Sequence, residues 1–107
     1  MKRLSDDNFE SEIMNNEEFS IILFIKDSDS ASMEASNALL NWGRQIGATL
    51  NQRIYLADVY TSERYSKALR ISIAPTLVIF KGKQKVYEKI CQPDFDHLVN
   101  FFGLKNS

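Results

Sequence analysis

The sequence predicts an α/β fold: a mixed central sheet with helices on both faces, in one domain spanning residues 1–107. Three observations carry this prediction. Phe19–Ile25 is an almost unbroken β-prone run, as a strand buried on both faces of a sheet requires. Ala31, Ala35, Ala38, Leu39, Trp42 and Ile46 follow it at helical spacing, which gives the longest helix of the chain. Thr76–Phe80 and Lys85–Ile90 are separated by a short turn around Gly82, so these two strands form an antiparallel hairpin. Strands joined through a helix run parallel with a right-handed crossover, and the two kinds of connection together make the sheet mixed.

The remaining elements follow in order. Asp7 with Glu10 three residues on reads as a loose capping box, opening a helix with Phe9, Ile13 and Met14 on its inner side. Asn15-Asn16 ends it. After the first long strand, Lys26–Ser30 is a polar loop rich in helix-capping side chains. Gly47 is placed to terminate the long helix. Arg53–Val59 reads as a further strand, and Ser62 as the cap of a short helix with Tyr65 and Leu69 facing inward. Pro75 cannot donate to a ladder and therefore belongs at the first position of its strand. Asp94 precedes Phe95, Leu98, Val99 and Phe102, an amphipathic helix closed by Gly103.

Composition narrows the function. The 13 basic and 14 acidic side chains are interspersed, with no basic block and no acidic tail, so nothing favours nucleic acid or an anionic membrane surface. Apolar stretches such as Ile21–Ile25 are too short to span a bilayer, and the first residues lack the apolar run of a signal peptide. Cys91 is the single cysteine, which forbids an internal disulfide, and no metal-ligand spacing occurs. A cytoplasmic setting, no metal and no cofactor are expected.

The segment Ser72–Lys83 (S-I-A-P-T-L-V-I-F-K-G-K) resembles the proline loop of the thioredoxin family, and the element order resembles that fold over nearly the whole chain. The opening L-S-D-D-N-F-E resembles the start of the family's first helix, with Leu4 marking a short first strand. The resemblance implies a cis bond at Ala74–Pro75. It also places the family's C-x-x-C motif at Asp29-Ser30-Ala31-Ser32, where no cysteine stands. The buried acid of the family falls at Leu23 and its flanking tryptophan at Ser28, whereas Asp58 resembles an aspartate the family often carries.

Disulfide exchange needs a thiolate, and neither Asp29 nor Ser32 can form a mixed disulfide. Asp29 and Ser30 read as helix caps. In the family, the residue before the proline offers its backbone N–H and C=O to an extended peptide, a strand addition that needs no sulfur. The resemblance therefore implies a redox-inactive, chaperone-like accessory module that binds a protein or peptide through Asp29, Ser30, Ala31, Ser32, Ile73, Ala74 and Pro75. Redox-inactive relatives such as hydrogenase accessory factors are a precedent. The alternative is thiol chemistry at Cys91, with glutathione or a partner's cysteine; the resemblance puts Cys91 where family members often have a glycine. The other reading of Cys91, which most single cysteines fit, is a small, unreactive hydrophobe at a strand end. His97 is expected to face water, and Trp42 to lie in the core. The serines at 28, 30, 32 and 36 have no base at useful spacing. The protein is expected to be a monomer or weak homodimer, with Tyr60, Tyr87 and Phe101 as interface anchors in the latter case.

Overall fold

The computed structural model of the chain describes residues 1–104. Its organising element is β2 (Phe19–Ile25), the middle of five strands. β1 (Lys2–Leu4), β3 (Ile54–Asp58), β4 (Thr76–Lys81) and β5 (Gln84–Ile90) complete one sheet in the order β1-β3-β2-β4-β5. β3 runs parallel to β1 and to β2, whereas β4 runs antiparallel to β2 and to β5. The sheet is therefore mixed, with the helix-linked strands parallel and the hairpin antiparallel. Leu23 lies between Leu56 and Leu77 in register, at the centre of the sheet.

Because side chains alternate along a strand, β2 feeds two cores. Ile21, Leu23 and Ile25 point to one face, where Ala35, Leu39 and Trp42 of α1 (Ser30–Gln45) and Leu98 of α4 (Phe95–Phe101) bury them. Ile22 and Phe24 point to the other, against Phe9 and Ile13 of the first helical segment. That segment is a π-helical turn, Glu10–Met14, and Tyr65 and Leu69 beside α3 (Glu63–Ala68) pack on the same core. Helices thus cover both faces, and Trp42 is core, its ring 5.6 Å from that of Phe95.

Several local expectations are corrected. Asp7 caps nothing. The first segment opens instead through Ser5 and Asn8, whose Oδ1 accepts from the Ser5 N–H at 2.8 Å while Ser5 Oγ accepts from the Asp7 N–H. Ser62 makes no cap either, because its Oγ donates to the Leu4 carbonyl across the sheet edge. Asp6 serves the start of α3 in its place, accepting from the Arg64 N–H at 3.2 Å. Ala31 is exposed rather than on the inner stripe of α1, because the first turn presents Ser32 to the sheet. An extra turn, α2 (Ala48–Asn51), follows Gly47, whose φ of 99° ends α1 in a conformation that favours glycine.

β5 is the exposed edge, with Tyr87 its one half-buried residue. Its lysines at 85 and 89 guard it against pairing with other strands. His97 is exposed as expected and stacks on Tyr87 at 4.5 Å between ring centroids. Burial, and secondarily Asp94, holds the Tyr87 hydroxyl above the ordinary tyrosine range. No helix among the described residues is long and apolar enough to cross a membrane.

Candidate functional site

Three loops meet at the end of the sheet where β2 and β3 finish and β4 begins. The first is Lys26–Asp29, leading into α1. Asp29 is the N-cap: its Oδ2 accepts from the Ser32 N–H at 2.9 Å, as short polar side chains at a helix start do. Ser28 adopts φ 68° and carries no ring over the loop. Ser32 departs from its expected place. It is fully buried, and its Oγ accepts from the Lys26 N–H at 3.0 Å, so it closes the loop from inside rather than lining a groove. Ser30 and Ala31 are exposed on the first turn of α1.

The second loop, Val59–Ser62, is tied to the first by one carboxylate. Asp58 is 4% exposed, and its Oδ2 accepts from the Asp27 N–H at 3.0 Å. Its Oδ1 accepts from the N–H groups of Tyr60 at 2.8 Å and Thr61 at 3.3 Å. A buried carboxylate with these hydrogen bonds fixes two loops against each other. Tyr60 consequently stands at a defined position, with its side chain 65% exposed.

The third loop is Ile71–Pro75. The Ala74–Pro75 peptide bond is cis. Pro75 is buried at the head of β4, Ala74 is half-buried, and Ile73 is 47% exposed. The Ile73 carbonyl accepts from Thr76 Oγ1, which folds the loop back on the strand. Among the described residues, no group pairs with the Ala74 N–H or C=O. Ala74 is also one of the residues that line a concavity of about 420 Å³. Ala74 and Ile73 line the concavity on one side, Val59 and Tyr60 on another, and Lys26 and Asp29 at its rim.

Cys91 closes the proline side. It follows β5 directly, and its N–H donates to the Pro75 carbonyl at 2.8 Å. Its thiol is free and exposed, and its φ of 69° is the left-handed geometry that favours glycine. Next to it, Gln92 Nε2 donates to the Ala31 carbonyl at 3.1 Å and straps the β5–α4 loop to the start of α1. The structure thus brings Asp29, Ile73 and Ala74 together around the concavity, with Cys91 against Pro75. Sequence reasoning did not place Tyr60, Val59, Lys26 or Gln92 here. The one signal for Tyr60 was an aromatic residue two positions beyond Asp58, at the end of a strand.

The geometry can hold an extended chain. It offers an unpaired donor and acceptor on one residue, apolar walls and rim charges of opposite sign. It offers no dithiol, and among the described residues no three His, Cys, Asp or Glu side chains form a metal-binding group.

No family model and no curated protein matches the chain. Solved structures do. Thioredoxin f2 of Chlamydomonas reinhardtii superimposes with a TM-score of 0.78 at 16% identity, covering 96% of this chain and 94% of that one. Thioredoxin of Fasciola hepatica superimposes with a TM-score of 0.75 at 14% identity, covering 98% of this chain and 100% of that one. The chain therefore has a thioredoxin-like fold, carrying one cysteine.

Proposed function

We propose that this thioredoxin-fold chain is a redox-inactive binding module that takes up an extended protein or peptide segment in the groove beside Pro75, in a chaperone-like or accessory role. The observation that carries the reading is the unpaired backbone of Ala74, set in an open concavity with exposed apolar residues around it. An unpaired N–H and C=O on one residue is what strand addition uses, and apolar neighbours supply side-chain contact. Dithiol exchange needs two sulfurs, and the tip of α1 offers a carboxylate and a hydroxyl already engaged in capping the helix and closing its loop. A single cysteine fits a reducing compartment such as the cytoplasm.

A second reading, thiol exchange at Cys91 with glutathione or a partner's cysteine, is favoured by one observation: the exposed thiol stands directly beside the proline loop. A binding experiment and a thiol-adduct experiment separate the two. The probe is a reduced, carboxymethylated polypeptide, permanently unfolded and free of thiols. Binding is expected to be equal for the parent protein and Cys91→Ser. It is expected to weaken by about tenfold or more in Ile73→Asp, which charges an exposed wall of the groove without touching the core. Absence of binding, or equal binding by Ile73→Asp, contradicts the proposal. Loss of binding in Cys91→Ser contradicts the proposal as well; the thiol reading gains support only from a mixed disulfide with oxidised glutathione that intact-mass analysis finds on the folded parent and not on Cys91→Ser.

A further inference from the structure

Resting on the groove reading above, we propose that the partner segment is anchored by a single bulky apolar side chain, aromatic or leucine-like, seated against Tyr60. The concavity beside Tyr60 is roomy. About 420 Å³ lies between Val59–Tyr60 and Ile71–Ala74. A neighbouring concavity that shares Ile71, Ser72 and Ile73 with it and is also lined by Thr76, Glu88 and Ile90 is only about 40 Å³. Side chains of an added strand alternate in direction, so a segment paired with Ala74 delivers one residue to the roomy side.

Tyr60 makes the roomy side selective. It is more exposed than any other large hydrophobic side chain among the described residues, at 65%, and Ile73 opposite it is 47% exposed. Two such residues facing one cavity form an apolar surface that water covers poorly. The Tyr60 backbone is held by Asp58, so the ring is presented from a fixed point and loses little freedom when covered. The family resemblance puts a tryptophan at Ser28, on the opposite loop; here the aromatic wall of the groove comes from the β3–α3 loop instead. Lys26 and Asp29 line the same concavity with opposite signs, so its lining carries no net charge that would select a charged anchor.

The test uses short Ser/Thr-rich host peptides identical except for one central guest residue: Phe, Leu, Ala, Lys or Asp. Phe and Leu guests are expected to bind the parent about tenfold or more tighter than Ala, with Lys and Asp no tighter than Ala. Tyr60→Ser is expected to remove most of that gain. Val86→Ser, a change at a 39% exposed position of β5 away from the concavity, is expected to leave it. Equal binding of all guests, or a Phe gain that survives Tyr60→Ser, overturns the anchor and leaves the groove reading standing. If no guest binds while the carboxymethylated polypeptide does, the anchor alone falls. If neither binds, both fall.

Discussion

Asp58→Ala is expected to lower stability by about 3 kcal/mol and the melting temperature by roughly 10–20 °C. The carboxylate is almost entirely buried and receives three backbone N–H groups, from Asp27, Tyr60 and Thr61. Removing it strands those donors, at about 1 kcal/mol each if the loops rehydrate and more if they do not. The two loops it joins both line the groove, so affinity for an extended segment should fall together with stability. Asp58→Asn keeps one acceptor oxygen and is expected to land between parent and Ala. Thermal denaturation checks this directly; a shift under about 2 °C would show that the carboxylate does not hold the loops.

Phe9→Ala is expected to be costlier, at about 3–5 kcal/mol. Phe9 is completely buried and knits three parts of the fold together. Its ring stacks on Tyr65 at 4.2 Å and lies 6.3 Å from both Phe24 of β2 and Phe80 of β4. Truncation leaves a cavity among three rings that cannot all move inward, because two of them sit on paired strands. Against the 5–15 kcal/mol typical of a domain, this removes a large share of the margin. Urea unfolding should show a lowered midpoint with an unchanged slope. A cost below about 1 kcal/mol would mean that the first helical segment contributes little to this face of the core.

The sheet was legible because its signals are local. β2 and β4 read as strands from their apolar runs, the hairpin from the Gly82 turn, and α1 from a period that buries Ala35, Leu39 and Trp42. Spacing placed Cys91 just after the last strand and the family resemblance placed it beside the proline loop: β5 ends at Ile90, and the next N–H reaches the Pro75 carbonyl. Errors arose where a polar side chain had two acceptable partners. Asp7 and Ser62 have the right types for caps, but Ser5, Asn8 and Asp6 do that work, and Ser62 is drawn to the Leu4 carbonyl. Ser32 has a groove position in sequence and a buried one in space, because the first turn of α1 faces the sheet there.

The groove itself was half legible. The family resemblance announced one wall at Ala74, beside the proline at the strand start. The facing wall depends on Asp58 binding the backbone of Asp27, a contact between residues 31 apart in sequence. No periodicity or motif encodes that closure. Tyr60 consequently looks like an ordinary surface aromatic until the loops are brought together.

The account rests on the Ala74 backbone pairing with a guest chain and needing no thiol to do so. Amide hydrogen exchange of Ala74, followed by NMR on the Cys91→Ser protein with and without saturating Phe-guest peptide, tests that most directly. The account predicts that the Ala74 amide exchanges readily in the free protein and becomes strongly protected on peptide addition. An Ala74 amide that exchanges equally fast in both states, while the peptide binds elsewhere or not at all, contradicts it.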